Sequence, residues 1–162
     1  MWWASDHADL ANRTLYLQRD EQRQNGGYSL LVQTYPPHQP VQVQRGAKRS
    51  TIVLDHAQSD FLTLAGPSGR GADQLRVSTT VKTEGIGAEI YYTAWGTVKD
   101  RSARRTLLRY RDKLLEGRHW VAVPEKDGKG VVTWTIWSLE PSPANSGLLP
   151  GAVDVDVEVV PV

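Results

Sequence analysis

The chain has 162 residues, of which 23% are charged, and its formal net charge is +1. This length can bury a proper core in one domain, and this charge balance is typical neither of a disordered chain nor of a dedicated nucleic-acid binder. The absence of cysteine excludes disulfide frameworks, zinc thiolate sites and cysteine nucleophiles. We therefore expect a single β-rich domain over 1–162, with 1–27 as an N-terminal arm and 138–152 as a loop that can both be extended.

The N-terminal segment carries no basic stretch followed by an apolar run, so it does not resemble a secretory signal. We expect a protein made in the cytosol. Two structures fit residues 1–27: a helix capped by Ser5, or a short strand over 13–19, and the alternation of 13–18 favours the strand. The apolar pair Trp2 and Trp3 then needs cover, either from this domain or from a neighbouring molecule.

The run Val131–Trp137 contains only β-branched and aromatic residues and lies between turn-forming segments. Neither of its two faces is charged, so it predicts a central strand, paired with His119–Val123 through a turn at Asp127 and Gly128. Similar patterns predict further strands at 28–35, 41–44, 51–54, 61–64, 75–82, 88–95 and 153–159.

Residues 102–116 predict the one helix. Ser102 can cap it, Ala103, Leu107 and Leu114 recur at helical spacing, and Gly117 lies at the expected end. The alternation of 108–111 allows a hairpin instead. Together, these elements predict a mainly β fold: an antiparallel β-sandwich or barrel of about nine short strands with one α-helix near 102–116.

Opposite charges are concentrated in separate segments. Residues 99–118 hold eight basic and three acidic side chains, a net charge of +5, whereas 153–159 alternates valine with acid. An acidic strand face discourages wrong edge pairing, and it also fits a basic partner surface. The candidate subunit-contact residues are Trp2, Trp3, Arg101, Arg104, Arg105, Arg109, Asp154, Asp156 and Glu158.

Tryptophan and tyrosine supply a second candidate surface. The chain has six of each but one phenylalanine, and both side chains favour half-wet positions. Stacking of a sugar ring, or contact with a membrane surface, would use Tyr92, Trp95, Trp120 and Trp137. The alternative is a structural role, with these rings in the core and at strand edges.

Catalytic chemistry has little support in the sequence. His56 follows Asp55 and precedes Ser59, but a triad needs convergent geometry, and neither G-x-S-x-G nor H-E-x-x-H occurs. The loop 66–71 lacks the Lys-Ser/Thr step of a P-loop. We expect no enzyme activity, no catalytic residues, no metal and no cofactor.

The expected architecture resembles, at fold level only, several phage tail-tube, head–tail joining and capsid-decorating proteins. Separated charges favour head-to-tail contacts between identical subunits. We therefore expect a non-enzymatic structural protein that self-assembles, as a virion or phage-like component, with itself and other assembly proteins as partners. It would then end up in a virion or an extracellular assembly. The alternative is a glycan- or membrane-surface-binding module, and the near-zero net charge disfavours nucleic acid.

Overall fold

The computed structural model describes residues 2–4, 10, 13, 15–19, 28–32, 41–47, 51–54, 57–65, 71–78, 89–90, 95–111, 113–126, 130–142 and 148–160. These residues form a mainly β fold. The thirteen strands are Trp2–Ala4 (β1), Leu15–Arg19 (β2), Tyr28–Val32 (β3), Val43–Arg45 (β4), Ile52–Leu54 (β5), Ala57–Ala65 (β6), Ala72–Ser78 (β7), Glu89–Ile90 (β8), Trp95–Asp100 (β9), Arg105–Tyr110 (β10), His119–Lys126 (β11), Val132–Leu139 (β12) and Val153–Glu158 (β13).

The strands form one antiparallel sheet that curls into a half-barrel. The main path runs β4-β5-β6-β7-β3-β12-β11-β13-β10-β9, while β1 pairs with β13, β2 with β3 and β8 with β6. Hairpins of consecutive strands are joined by pairings between strands distant in sequence, such as β3 with β12, β7 with β12 and β1 with β13.

The strand β12 is central, as its uncharged faces predict. It pairs with β11, β3 and β7, and Trp134 and Ile136 point into the core while Val132 packs against its edge. The predicted hairpin with β11 is confirmed, since Lys126 pairs with Val132 and His119 with Leu139. The expected turn at 127–128 lies outside the described residues.

The C-terminal alternation also behaves as predicted. In β13, Val155 and Val157 are buried and belong to the core, whereas Asp154 is exposed and Asp156 is half-buried. The short N-terminal strand expected at 13–19 is present as β2. Side chains alternate across a strand, so a valine-acid repeat separates an inner from an outer face.

Two buried indoles connect strands across the inside of the half-barrel. Trp95 of β9 donates its Nε1–H to the carbonyl of Leu62 in β6, at 2.8 Å, and Trp120 of β11 donates to the carbonyl of Leu108 in β10, at 3.0 Å. The two indoles stack with centroids 6.3 Å apart, and the ring of Tyr110 lies 4.3 Å from that of Trp95. The bond from Trp95 to Leu62 therefore joins β9, at one end of the strand path, to β6 in the other half of that path.

The helix predicted over 102–116 is wrong. Residues 101–104 form a turn, 105–110 form β10, and only Lys113–Leu115 make a short 3₁₀ turn. A strand at β10 pairs with both β9 and β13, and these ladders outweigh a helical spacing that the alternating hairpin pattern matches equally well. No α-helix occurs among the described residues.

The Trp95–Leu62 bond generates a stability prediction. Trp95→Phe keeps an aromatic ring but leaves the Leu62 carbonyl without its indole donor, so the free energy of unfolding should fall by roughly 2 kcal/mol. Urea denaturation followed by circular dichroism measures this. The matched control is Trp137→Phe, whose half-buried indole donates only to the Thr135 hydroxyl; an equal loss in both variants would contradict the role of the buried bond.

Candidate functional site

The strands β9 and β10 form a hairpin at the end of the main path. Their register runs from Trp95 opposite Tyr110 to Asp100 opposite Arg105, so residues 101–104 are the loop. The Asp100 carboxylate holds this loop, because its Oδ1 accepts hydrogen bonds from the Ser102 backbone N–H at 3.0 Å and the Ser102 hydroxyl at 2.6 Å. A third bond comes from the Ala103 N–H at 3.3 Å.

These loop bonds act on the charge of Asp100. The hydrogen bond from the Ser102 hydroxyl, followed by that from the Ala103 N–H, lowers the pKa of Asp100 below its ordinary value of 3.8, and partial desolvation opposes the shift. Bonds to the ionised form always act in this direction. The loop conformation and the ionised carboxylate therefore stabilise each other.

Arg104 completes the loop in a left-handed conformation, with φ of 55°. This region costs an L-residue with a Cβ roughly 1 kcal/mol, and glycine is the usual choice. Among the described residues, no other non-glycine residue has a positive φ. Such a strained position is typical of a site at which the side chain itself is needed.

The hairpin projects from the body of the fold. Thr97, Val98 and Lys99 are exposed in succession, and so is the whole loop 101–104. Three consecutive exposed strand residues mean that both faces of the strand meet solvent. Val98 is the most exposed large apolar side chain among the described residues, at 56%. We call residues 97–104 the hairpin tip.

Below the tip, part of the basic segment is neutralised by the acidic strand. Asp156 of β13 accepts from two arginines of β10: its Oδ1 lies 2.9 Å from Nη2 of Arg109 and its Oδ2 lies 3.4 Å from Nη2 of Arg105. Arg105 also lies 3.4 Å from Asp100. The predicted attraction between the two charged segments thus exists within one chain for these residues.

The remaining candidate contact residues are placed differently. Arg101 and Arg104 are exposed at the tip, and neither has an ion pair among the described residues. The Asp154 side chain is 85% exposed, and its Oδ1 lies 3.2 Å from Nε2 of His119. Glu158 is half-buried opposite Leu107. Trp2 and Trp3 lie in β1 beside β13, where the structure describes their backbone only.

The candidate stacking residues are divided between core and surface. Trp95 and Trp120 are 3% and 4% exposed, so their ring faces pack inside the half-barrel and are closed to a ligand in this structure. Trp137 is half-buried, and its indole donates to the Thr135 hydroxyl at 2.9 Å. Tyr92 lies outside the described residues.

A pocket of about 310 Å³ lies beside β10 and β11, with Arg109, Arg118, Glu116 and Trp120 in its wall. Arg118 forms a nearly buried ion pair with Asp73, and Arg109 is held by Asp156. Both guanidinium groups in the wall are thus neutralised by carboxylates, so the pocket carries little charge for an anionic ligand.

Within the described part of the chain, no group of three or more histidine, aspartate or glutamate side chains is placed to hold a metal ion. In the same part, no helix has the length and apolar character needed to cross a bilayer. His56, the histidine considered for catalysis, lies outside the described residues.

Comparison of the chain with protein-family models, curated proteins and solved structures found no match in any of the three. Geometry and charge alone therefore single out the hairpin tip as the candidate site. Its last residues, 102–104, lie at the start of the helix that the sequence predicts. The sequence Asp100-Arg101-Ser102 carried a usable signal, since aspartate two residues before serine is typical of a side-chain-capped turn.

Relief of the strain at Arg104 is testable. Arg104→Gly should raise the free energy of unfolding by up to about 1 kcal/mol, because glycine adopts the left-handed region freely, although it also gains entropy in the unfolded chain. Arg101→Gly, three residues before Arg104 and at a position without a positive φ, should give no gain. Urea titration of both variants measures the difference, and a destabilised Arg104→Gly would show that the side chain contributes to folding.

The capped loop also predicts a pH dependence. Because the pKa of Asp100 is lower in the folded than in the unfolded protein, its ionised form stabilises the fold above pH 3.8, and this contribution disappears as the pH falls through the folded-state pKa. The Asp100→Asn variant has no carboxylate at this position and therefore lacks this pH-dependent contribution to stability. The stability difference between wild type and variant should therefore be largest at neutral pH and shrink toward acid; a difference independent of pH would contradict the account.

Proposed function

We propose that this chain is a non-enzymatic structural protein that associates with copies of itself, as a tail, head–tail joining or capsid-decorating component of a virion or phage-like assembly. The observation that carries the proposal is the hairpin tip. It combines on one element an exposed valine, an exposed strand and cations that have no ion pair with any residue the structure describes. An unpaired strand edge is a feature that monomeric proteins tend to avoid, and Val98 adds an apolar side chain that a second copy would cover.

The outer strand of the hairpin supports association directly. Among the strands that the structure describes, β9 pairs with β10 alone. A strand at the end of a sheet presents unpaired N–H and C=O groups to which another chain can add. Monomeric proteins protect such edges with charge, proline or a covering element. The strand β9 carries one exposed charge of this kind, Lys99, whereas Thr97 and Val98 at its centre are uncharged and exposed.

The finer fold assignment, a sandwich or barrel, also belongs to this proposal. The strand β13 pairs with β11 through residues 153–155 and with β1 through residues 156–158. Strands that change partners along their length form the corners at which one sheet turns into a second layer. Such an architecture offers the rigid body that a projecting arm requires. We further propose that the protein is made in the cytosol and has other assembly proteins as partners.

The alternative function, binding of a glycan or membrane surface, has narrower support. This function would use four aromatic residues. Among those that the structure describes, Trp137 is the one that is partly exposed. One ring gives a weak stacking platform compared with an array of rings. We therefore favour self-association.

The apolar side chain of the tip gives the test of self-association. Val98→Lys places a charge on the exposed strand and should reduce the weight-average mass measured by size-exclusion chromatography with light scattering, without loss of fold. Val131→Lys is the matched control, since Val131 is 54% exposed and lies before β12; it should associate like wild type. A wild-type protein that is monomeric at high concentration and low salt would overturn the proposed function.

A further inference from the structure

The basic side chains around the hairpin fall into two groups: those that form ion pairs with described residues and those that do not. Arg105 and Arg109 are neutralised by Asp100 and Asp156 within the chain. Lys99, Arg101 and Arg104 are exposed and have no ion pair with any described residue. The tip therefore presents three uncompensated positive charges on an element fixed in shape by its capped loop.

A highly exposed carboxylate, that of Asp154, lies at the opposite end of the β10–β13 pair from the hairpin tip. Leu107 pairs with Glu158 in the antiparallel ladder between β10 and β13, so Asp154 lies level with Arg111. Arg111 follows Arg105 by six residues, which span about 20 Å in a strand. Asp154 and the hairpin tip thus lie too far apart to meet within one molecule.

The surroundings of Asp154 fit a cationic partner. Val121 of β11 pairs with Asp154 on one side and with Trp137 on the other, so the carboxylate and the indole lie in one row on the same face of the sheet. The carboxylate is 85% exposed, and His119 is its partner among the described residues. Arginine binds carboxylates through paired hydrogen bonds and stacks on indole rings. Val121 itself is buried and Trp137 is half-buried, so a partner can reach the Asp154 carboxylate and part of Trp137. We call the row of Trp137, Val121 and Asp154 the acceptor row.

We propose that Arg101 and Arg104 of one copy bind the acceptor row of the next copy, with Asp154 as the anion and Trp137 as the stacking surface. This inference depends on the proposed self-association and names its contact. The hairpin tip and the acceptor row are different surfaces at opposite ends of the β10–β13 pair. The contact is therefore head-to-tail and extends into a ring or a filament. It also explains the arginine at φ of 55°, where glycine would relieve strain but remove the charge.

A second copy fits the tip better than a nucleic acid does. A second copy supplies an exposed carboxylate, that of Asp154. The net charge of +1 gives no long-range attraction for a polyphosphate. The three cations of the tip are also too few for tight phosphate-backbone binding at physiological salt.

The test is a charge-reversal complementation on the full chain. One variant reverses the tip (Arg101→Glu with Arg104→Glu), and the other reverses the acceptor (Asp154→Arg). Each copy alone then places like charges against each other and should associate at least about tenfold more weakly than wild type. Mixed together, the two variants present opposite charges at every contact and should restore association as an alternating complex.

Sedimentation velocity of each variant and of their equimolar mixture measures the result, with circular dichroism to show that each is folded. Lys126→Glu, an exposed reversal on the β11–β12 hairpin, is the control and should behave like wild type. If wild type associates and the tip variant does so equally, the contact is wrong while self-association stands. Failure of the mixture to associate would exclude Asp154 as the partner, and tip-dependent binding of a DNA oligonucleotide without any tip effect on self-association would assign the tip to nucleic acid.

Discussion

The hydrogen bond from the Trp95 indole to the Leu62 carbonyl is the contact on which the rest of the structure depends. It joins β9, the last strand of the path, to β6, which lies seven positions away along that path. The indole stacks on Trp120, whose own N–H binds the Leu108 carbonyl. In a dry interior such bonds are stronger than in water, and an unmatched partner is costly. The curl of the sheet is thus held from inside.

Anchoring of the inner face fixes which side chains the outer face presents. Alternation along β10 places Leu108 in the core and turns Arg105 and Arg109 outward, where Asp156 holds both. Exposed ion pairs of this kind contribute little stability on their own, so their larger effect is on which charges remain free. With Arg105 and Arg109 neutralised, Lys99, Arg101 and Arg104 remain as exposed cations next to Val98. Arg111 and Lys113 are exposed at the opposite end of β10.

The sequence predicts elements whose pattern is local and fails where partners are remote. The valine-acid repeat of β13 and the uncharged run of β12 specify strands and faces by themselves, and both predictions are confirmed. Residues 102–116 fit a helix and a hairpin alike, and ladders to β9 and β13 decide between them. No local pattern shows that the Trp95 N–H meets a carbonyl 33 residues away, so the sequence left both a core and a surface position open for that ring.

The central claim is that this protein associates with itself through oppositely charged, separate surfaces. Sedimentation velocity of the wild-type chain over a series of protein and salt concentrations tests it most directly. The account predicts species larger than a monomer that grow with protein concentration and shrink as salt screens the contact between tip and acceptor row. A single species of 18.0 kDa at every protein and salt concentration would contradict it.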